Sequence, residues 1–282
     1  MPTLSFVHPV TQEPVRRAGD GYRGSGPDVF TDSNGMPCFV QDALRAHMAN
    51  ERTGLINQIK TFLRRFPTLY RFLVFVISPA CFTGVSPAAF LRRYGVGSLI
   101  LNIGSGVHRY RRDVINLDIF PYEGVDVVAD ATALPFPEDT ADAMLCVAML
   151  EHVPNPQKVV DEMLRVLKPG GQAYVFVPFV YPFHASPNDF YRWSHEGLRH
   201  LLRNGTVVEI GTRCGPTSAL TAQLVTWASI VLSCGSEFLY NVAYIVLQVL
   251  FFPLKFLDLL FGRFPTAVHG AACFYAIVEK PR

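Results

Sequence analysis

Seven short apolar runs recur between residue 98 and the end of the chain, and turns or helical patterns separate them. The runs are 98–103, 114–119, 125–129, 142–149, 172–179, 206–211 and 273–279. They are almost continuously apolar and rich in β-branched residues, which is typical of strands that are covered on both faces of a parallel sheet. The pattern therefore predicts an α/β fold.

Two amphipathic patterns predict helices after the fourth and fifth runs. The first, NPQKVVDEMLRVLKPGG, places its apolar residues on one face and stops at the Pro-Gly-Gly turn at 169–171. The second, SHEGLRHLLRNG, begins at Ser194 as the expected N-cap and has Gly205 just past its end. Strands followed by helices support a sheet with helical connections.

The remaining sequence divides into flanking segments. Residues 1–50 are rich in Gly, Pro, Asp and Ser and predict a small irregular or β-rich leader. Residues 51–97 predict a helical, partly apolar segment, which either packs on the main domain or lies at a membrane interface. The predicted sheet domain takes residues 98–213 and 271–282, and residues 214–270 form an apolar helical insert before the last strand.

The insert contains two long uncharged runs, 214–236 and 238–254, interrupted only by Glu237. Each run is close to the length of a membrane-spanning helix. Because the strands on either side should pair in one sheet, the chain has to return to the side that it left. Three arrangements remain open: a hairpin dipping into one leaflet, two spans, or a lid or dimer surface. Lys255 and Arg263 are candidates for contact with anionic headgroups.

The amino-acid composition limits the kinds of molecule that the protein is expected to bind. Only 17% of the 282 residues are charged, 50% are hydrophobic, and the formal net charge is +2, which argues against a nucleic-acid partner. The six cysteines are scattered without C-x-x-C pairs, so we expect neither a zinc site nor a disulfide framework. The first residues lack the basic and apolar pattern of a secretory signal, and we expect a cytoplasmic catalytic part.

A glycine turn follows the first strand. Gly104, Ser105 and Gly106 allow close approach of a ligand to the backbone, although a simple tight turn would have the same sequence. Asp118 ends the next strand, where a carboxylate can accept hydrogen bonds from both hydroxyls of a ribose. Arg109 replaces the third glycine of a dinucleotide motif, so the sequence favours a different nucleoside-containing ligand.

Later features lie at the same predicted edge of the sheet. Asp130 and Ala131 end the third strand, where a carboxylate can accept a hydrogen bond from an exocyclic adenine amine. The following TALPFPED loop offers apolar cover for a purine. The fourth strand then delivers the Glu151–His152 corner to the same edge. Ligands of open parallel sheets bind outside these carboxyl ends, so these features predict one crevice.

With these residues in that order, the chain resembles the class I S-adenosylmethionine-dependent methyltransferases. It is most similar to the type 11 group, and to bacterial members with apolar C-terminal segments. The resemblance covers about 98–212 and the last strand, and rests on LPF, DAMLCVAMLEHVPNP and LRVLKPGG. It implies a Rossmann-like sheet of seven strands, with the last strand antiparallel and hairpinned to the sixth.

The resemblance also implies S-adenosyl-L-methionine as cofactor and a set of residues that bind it. The glycine turn should line the methionine part, Asp118 the ribose, and Asp130 with Ala131 the adenine. The implied cofactor-binding residues are Asn102, Gly104, Ser105, Gly106, Asp118, Ile119, Asp130, Ala131 and Val147. Asn102 departs from the family, which usually has an acidic residue there. The first two connections are also too short for normal crossover helices.

The loop after the fifth strand supplies candidates for catalysis. We expect His184 or His152 to act as base on an acceptor hydroxyl, Asp189 to orient it, and Arg192 to hold an anionic substrate group, with Tyr191 beside them. The alternative is structural: NDFYRW locks the loop, and His152 only begins a helix. No metal ligand is predicted.

Together these patterns predict a membrane-associated methyltransferase, which methylates an oxygen of a small or lipid-linked acceptor. We expect a peripheral or monotopic position on the inner face of the cell membrane, with contact through 62–77 and 214–262. Two alternatives remain open: a catalytically silent cofactor-binding or scaffold protein, motivated by Asn102 and the short connections, and an NAD-dependent oxidoreductase.

Overall fold

The computed structural model describes residues 4–19, 21–24, 29–33, 36–40, 76, 78–184 and 188–282. Most of the predicted helical stretch at 51–97 precedes residue 78. Residues 51–75 and 77 lie outside the described residues. The candidate membrane surface 62–77 therefore lies outside them too, except for residue 76.

The leader forms five short strands in one antiparallel sheet with neighbours in chain order. The strands are β1 (Phe6–Val7), β2 (Pro14–Ala18), β3 (Gly21–Arg23), β4 (Val29–Ser33) and β5 (Met36–Pro37). Rings of Phe6, Tyr22, Phe30 and Phe39 pack with centroids 5.0 to 5.6 Å apart. These rings join the buried cluster of the main sheet, since Phe6 also packs on Phe136 with centroids 5.6 Å apart.

The main sheet has seven strands in the order β11-β12-β10-β9-β6-β7-β8. The strands are β6 (Ile100–Ile103), β7 (Val114–Asp118), β8 (Val127–Val128), β9 (Ala141–Val147), β10 (Leu167–Pro178), β11 (Thr206–Cys214) and β12 (Cys273–Glu279). Only β12 is antiparallel to its neighbours. The predicted α/β fold, with seven strands and an antiparallel last strand paired to the sixth, is confirmed.

The strand order creates a switch point beside β6. The chain runs outward through β7 and β8, then returns to the other side of β6 to form β9. The loops after β6 and β9 therefore diverge and leave a crevice at the carboxyl edge, where open α/β sheets bind ligands. The crevice lies where the predicted glycine turn and the Glu151–His152 corner meet.

The connections 104–113, 119–126 and 129–140 contain no helix, in agreement with the short spacing for the first two. Polar side chains tie these connections together instead. Arg109 donates to the carbonyls of Val114 and Gly124, at 2.9 and 2.7 Å, and pairs with Asp126 at 2.7 Å. Asp126 in turn accepts a hydrogen bond from the N–H of Asn116 at 2.8 Å. Hydrogen bonds thus replace the helical crossovers of this half of the sheet.

Three helices pack near the sheet: α1 (Pro87–Leu91), α2 (Pro156–Val166) and α3 (His195–Leu201). Ser194 caps α3 as predicted, accepting from the N–H of Gly197 at 3.1 Å. The expectation that α2 continues to 169–171 is wrong. Leu167 is already extended, with ψ of 141°, and pairs with Ala141, so strand pairing ends the helix at Val166.

Each face of the sheet has a different cover. One buried cluster joins α1, through Phe90 and Leu91, to Ile100 and Leu145. The cluster on the other face contains α2 residues and also Phe39 of the leader. The N–H of Phe39 donates to the carbonyl of Val128 at 2.8 Å. The leader therefore helps to cover the half-sheet that lacks crossover helices.

The insert before β12 is helical. It consists of α4 (Pro216–Ser233), α5 (Glu237–Phe251), a 3₁₀ segment (Phe252–Leu257), α6 (Asp258–Phe261) and a second 3₁₀ segment (Pro265–His269). Among the described residues, one helical stretch, Glu237–Phe261, is long and apolar enough to cross a membrane by length and composition, and 17% of its most apolar window is buried. A single stretch of this kind is weak support for a span.

Within the insert, a buried carboxylate of α6 joins the start of α4. Asp258 is fully buried and accepts hydrogen bonds from the N–H groups of Thr217 and Ser218, both at 2.8 Å. Lys255, which we expected at headgroups, is also fully buried, and its Nζ donates to the carbonyl of Ser78 at 2.8 Å. That expectation is wrong, since the lysine side chain turns inward.

Candidate functional site

The glycine turn lies directly against the loop after β9. Gly104 has φ of +66°, and a Cβ at this position would lie 2.2 Å from Cγ of Met149. Ala148, just before Met149, also has positive φ, at 51°. Because both loops turn sharply here, only glycine fits at position 104. The sequence marked Gly104 but gave no sign of Met149 as its neighbour.

Asp118 ties the end of β7 to the glycine turn. Its Oδ2 accepts from the N–H of Gly106 at 2.7 Å, and its Oδ1 accepts from the N–H of Phe120 at 2.9 Å. Burial raises the pKa of Asp118 above its ordinary 3.8, against the opposing effect of these N–H groups. Each carboxylate oxygen has a second lone pair, so the group can still accept from ligand hydroxyls.

Asn102 lies beneath the turn, almost completely buried. Its amide nitrogen donates to Oδ1 of Asn116 at 3.1 Å and to the carbonyl of His108 at 3.3 Å. The amide nitrogen therefore holds the turn from below. Only the side-chain oxygen is left to act toward a ligand.

The other implied cofactor residues surround the same edge. Oδ1 of Asp130 accepts from the N–H of Thr132 at 2.8 Å, which shapes the turn after β8. Ala131, Ile119 and Val147 are each half-buried, at or just after the ends of strands β7 to β9. The fold brings all of these residues to one sheet edge.

The loop after β10 is held by an arginine whose donors are all engaged. The guanidinium of Arg192 forms an ion pair with Asp189 and also donates to the carbonyls of Tyr181, Pro182 and Tyr191. The hydrogen bonds from Arg192 to the Asp189 carboxylate lower the pKa of Asp189 to about 2. The expectation that Arg192 holds an anionic substrate group is wrong, because no guanidinium N–H is left over.

Tyr191 also has a structural role in this loop. Its hydroxyl donates to the carbonyl of Pro154 at 2.9 Å, and its ring stacks on Trp193 with centroids 5.5 Å apart. The structure thus favours the loop-locking interpretation for Asp189, Tyr191 and Arg192. Residues 185–187 of this loop lie outside the described residues.

The two histidines come together over Glu151. The rings of His152 and His184 are 5.3 Å apart and nearly perpendicular, and each Nε2 lies 3.9 Å from Oε1 of Glu151. Glu151 is 1% exposed, its Oε2 has no hydrogen-bond partner among the described residues, and burial raises its pKa to about 7. The sequence placed the Glu151–His152 corner at this edge and marked both histidines as candidates, but it assigned no chemical role to Glu151.

A cavity of about 830 Å³ opens at the β10–β11 side of the same carboxyl edge. Pro178 and Cys214, the last residues of β10 and β11, both pair with Cys273, so the two strands end together. The cavity is lined by residues of β11, of the start of α3 and of the insert, among them Phe179, His195, Ile210, Arg263, Phe264 and Val268. None of the implied cofactor residues lines it.

Comparison with known proteins supports the interpretation of this edge. Residues 95–175 match a family model described as a methyltransferase domain. An uncharacterized methyltransferase of Mycolicibacterium vanbaalenii is 39% identical over 92 residues, which are 32% of each chain. A ubiquinone/menaquinone biosynthesis C-methyltransferase of Hydrogenovibrio crunogenus is 33% identical over 116 residues, 40% of this chain and 46% of that protein. The chain thus spans less than half the length of either relative.

Among solved structures, a SAM-dependent methyltransferase from Archaeoglobus fulgidus aligns with 68% of this chain and 92% of its own, with 19% identity and a TM-score of 0.41. The matched domain, 95–175, contains the glycine turn, Asp118 and the Glu151–His152 corner, and the strand order is the one that the resemblance implied. Residues 95–175 are thus similar to a methyltransferase domain, and the sheet around them has the fold of the class I S-adenosylmethionine-dependent methyltransferases.

Proposed function

We propose that this protein methylates an oxygen atom of a small or lipid-linked acceptor at the inner surface of the cell membrane. The observation that carries the proposal is the meeting of three features at one sheet edge. These are the cofactor crevice beside Gly104, the histidine pair over Glu151, and an insert with an exposed apolar surface.

S-adenosylmethionine is the cofactor of the family, and the crevice fits it. Met149 fills the space over Gly104, but the space beside Gly106 is open, since a Cβ there would meet no atom within 4 Å, and this leaves exposed backbone for the methionine part. Asp118 retains lone pairs for the ribose hydroxyls, and Asp130 with Ala131 lies at the next strand end for the adenine. When bound, the cofactor supplies an electrophilic methyl group on its sulfonium sulfur.

The acceptor proton is removed at the histidine pair. Nδ1 of His152 contacts the carbonyl of Asn188, and Nδ1 of His184 contacts that of Pro182 at 3.1 Å. An Nδ1 beside a carbonyl oxygen is protonated in the neutral ring, so each Nε2 carries a lone pair. Burial lowers the pKa of His184 below its ordinary 6.5, which keeps this ring neutral at pH 7. Asp189, Tyr191 and Arg192 position the loop that carries His184.

The exposed face of the insert supports the membrane part of the proposal. Large apolar side chains along α4 and α5 are about half exposed or more: Leu220, Trp227, Ile230, Val231, Leu232, Phe238, Val242, Ile245, Val246, Val249 and Leu250. A continuous apolar patch of this extent is unusual on a soluble monomer and typical of an interaction surface. We place a lipid surface there, with exposed Arg263 near the headgroups.

The cavity beside β11 is the proposed acceptor entrance. It lies between the sheet edge and the insert, and it combines apolar walls from Phe179 and Ile210 with the polar groups of His195 and Arg263. A lipid-linked acceptor held by the apolar face could pass its polar end into this cavity. This placement favours a lipid-linked acceptor over a free metabolite.

Labelled S-adenosylmethionine tests the reaction. The protein is incubated with vesicles of total bacterial lipid, or with the aqueous small-molecule extract of the same cells, and label is counted in each product fraction. Label in the lipid fraction supports a lipid-linked acceptor, and label in the aqueous fraction a small one. A His184→Gln variant should lose at least tenfold in rate, while the surface variant His200→Ala should not. Folded protein that binds S-adenosylhomocysteine and labels neither fraction contradicts methyl transfer.

Co-sedimentation with lipid vesicles tests whether the exposed apolar face of α5 contacts a membrane. Val246→Asp should weaken binding to anionic vesicles about tenfold, because a carboxylate would have to enter the apolar region. Val208→Asp is the matched control, since Val208 is similarly exposed, at 51% against 58%, but lies on β11. Equal binding by both variants would contradict contact through α5.

A further inference from the structure

We propose that Glu151, His152 and His184 bind a divalent first-row transition-metal ion. One carboxylate oxygen and one ring nitrogen from each histidine lie within 4.8 Å of one another. Two imidazoles and one carboxylate on one side of an ion form the facial triad of many metal enzymes. The inference rests on the arrangement of these ligand atoms, and its catalytic consequence rests on the proposed function.

The hydrogen bonds of Arg192 decide the tautomer of His184. Arg192 NH2 lies 3.2 Å from Nδ1 of His184, but the five guanidinium N–H groups already donate to Asp189 and to the carbonyls of Tyr181, Pro182 and Tyr191. These five contacts are all shorter than the one to the ring, so the guanidinium hydrogens are directed to them. Nδ1 therefore carries the hydrogen and donates to the Pro182 carbonyl, and Nε2 presents its lone pair toward Glu151.

His152 is held in the same way. Its Nδ1 contacts the backbone carbonyl of Asn188, so Nε2 again carries the lone pair. Histidines that bind metals usually donate their other ring N–H to a carbonyl or carboxylate, which fixes the ring for the ion. Both rings have this arrangement in the protein alone. The two histidines are 32 residues apart in the sequence.

Glu151 supplies the second, independent observation. The side chain is 1% exposed, and its Oε2 is buried without a hydrogen-bond partner among the described residues. The distance of 3.9 Å from Oε1 to each Nε2 is too long for a hydrogen bond. Two ligand atoms that are each about 2.1 Å from one ion stand about 3 to 3.5 Å apart, so the three side chains need to draw together by about half an ångström to hold an ion between them.

The donor set indicates the kind of ion. Imidazole nitrogen suits zinc, iron, cobalt and nickel, whereas magnesium and calcium prefer oxygen ligands alone. The side chains of His152 and His184 are 17% and 36% exposed, so an ion on them keeps a side open toward the crevice. A hydroxyl bound at that open side would lose its proton more readily. In the ion-bound form both Nε2 lone pairs would be engaged, so the acceptor proton would pass to water at the open side, and the histidines would act as bases only in the ion-free form.

Cobalt(II) is the direct probe, because its visible spectrum reports nitrogen and oxygen ligands. The purified full chain is stripped with a chelator and titrated with Co²⁺, then Zn²⁺ is added in competition. We expect about one equivalent bound, with a visible absorption band that Zn²⁺ removes. Glu151→Gln and His184→Ala should each weaken binding at least tenfold, and His200→Ala, an exposed histidine outside the cluster, should not.

S-adenosylhomocysteine binding is measured for the same variants, which keeps loss of the fold and failure of the methyltransferase proposal separate from loss of the ion. Variants that bind S-adenosylhomocysteine but no longer bind Co²⁺ support the site. Folded wild-type protein that binds no stoichiometric Co²⁺ or Zn²⁺ overturns it, as does equal Co²⁺ binding by wild type, Glu151→Gln and His184→Ala.

Discussion

The carboxylate of Asp118 accepts a hydrogen bond from the backbone N–H of Gly106 at 2.7 Å. One side chain thus sets the shape of the glycine turn and also stands at the strand end where we propose that a ribose binds. Because the two roles share one carboxylate, its removal should affect both the turn and the ligand.

We expect Asp118→Ala to weaken S-adenosylhomocysteine binding by at least tenfold, measured by titration calorimetry. Asp118→Asn keeps one acceptor oxygen and should lose less of the affinity for S-adenosylhomocysteine. Asp161→Asn, an exposed aspartate on α2, is the matched control and should bind as the wild type does. Unchanged affinity in Asp118→Ala, with the fold intact by circular dichroism, would show that the ribose lies elsewhere.

The same carboxylate predicts a pH dependence. Burial raises the pKa of Asp118 above 3.8, so the group protonates before an ordinary aspartate does as pH falls. A protonated oxygen no longer accepts ligand hydroxyls freely, and S-adenosylhomocysteine affinity should fall as pH drops through this raised pKa. The folded state binds this proton more tightly than the unfolded state, so the contribution of Asp118 to stability rises over the same interval.

Calorimetric titration across this pH range, beside thermal unfolding without ligand, separates the two effects. In Asp118→Asn the corresponding step in affinity should be absent. An identical pH profile in wild type and Asp118→Asn would assign the step to another group.

The contact between Gly104 and Met149 predicts a matched pair of glycine variants. Gly104 and Gly106 both have positive φ, but a Cβ at 106 meets no atom within 4 Å, whereas a Cβ at 104 lies 2.2 Å from Met149 Cγ. Gly106→Ala should lower the free energy of unfolding by about 1 to 2 kcal/mol, which is the cost of a positive φ for a residue with a Cβ. Gly104→Ala adds overpacking and should cost about 2 to 5 kcal/mol in free energy of unfolding.

Urea unfolding measures both values. The double variant Gly104→Ala with Met149→Ala should recover part of the loss, because the side chain that opposes the new Cβ is gone. Equal costs for Gly104→Ala and Gly106→Ala would mean that Met149 does not close the crevice floor.

The main sheet could be predicted because its strands are buried on both faces and therefore uninterrupted in apolar character. The short spacing between Gly104 and Val114 also predicted the missing crossover helix, since a helix needs more residues. The sequence did not reveal how the backbone groups of these connections are satisfied. That depends on Arg109, Asn116 and Asp126, which are separated in sequence and meet only in the fold.

The histidine cluster and the insert show a similar limit. His152 and His184 were visible as candidates, but their relation to Glu151 depends on how the loop after β10 folds around Arg192. Lys255 was expected at a membrane surface because lysines are usually exposed. In the fold it lies near the rings of Phe252 and Phe256, at 5.0 and 5.7 Å, and donates to Ser78. Neither placement follows from residue type alone.

Within the insert, Asp258 joins α6 to the start of α4. Gly215 at the N-cap of α4 has no side chain to cap the helix, and Asp258 from 40 residues or more away accepts from the N–H groups of Thr217 and Ser218. A Cβ at 215 would lie 2.5 Å from Oδ1 of Asp258, so the missing side chain makes room for the remote cap. Asp258→Ala leaves two buried N–H groups unpaired and should cost about 2 to 6 kcal/mol.

Ser236→Ala is the control for an ordinary cap in the same insert. The Ser236 hydroxyl accepts from the N–H of Leu239 at 3.4 Å in an exposed position, and its loss should cost about 0.5 to 1 kcal/mol. Urea unfolding gives the free energy of unfolding of the two variants, and limited proteolysis shows whether α4 and α5 are cleaved first. If Asp258 holds the insert together, Asp258→Ala exposes cleavage sites in the insert while S-adenosylhomocysteine binding at the glycine turn persists. A cost no greater than that of Ser236→Ala would mean that packing of α4 alone holds the apolar surface against the domain.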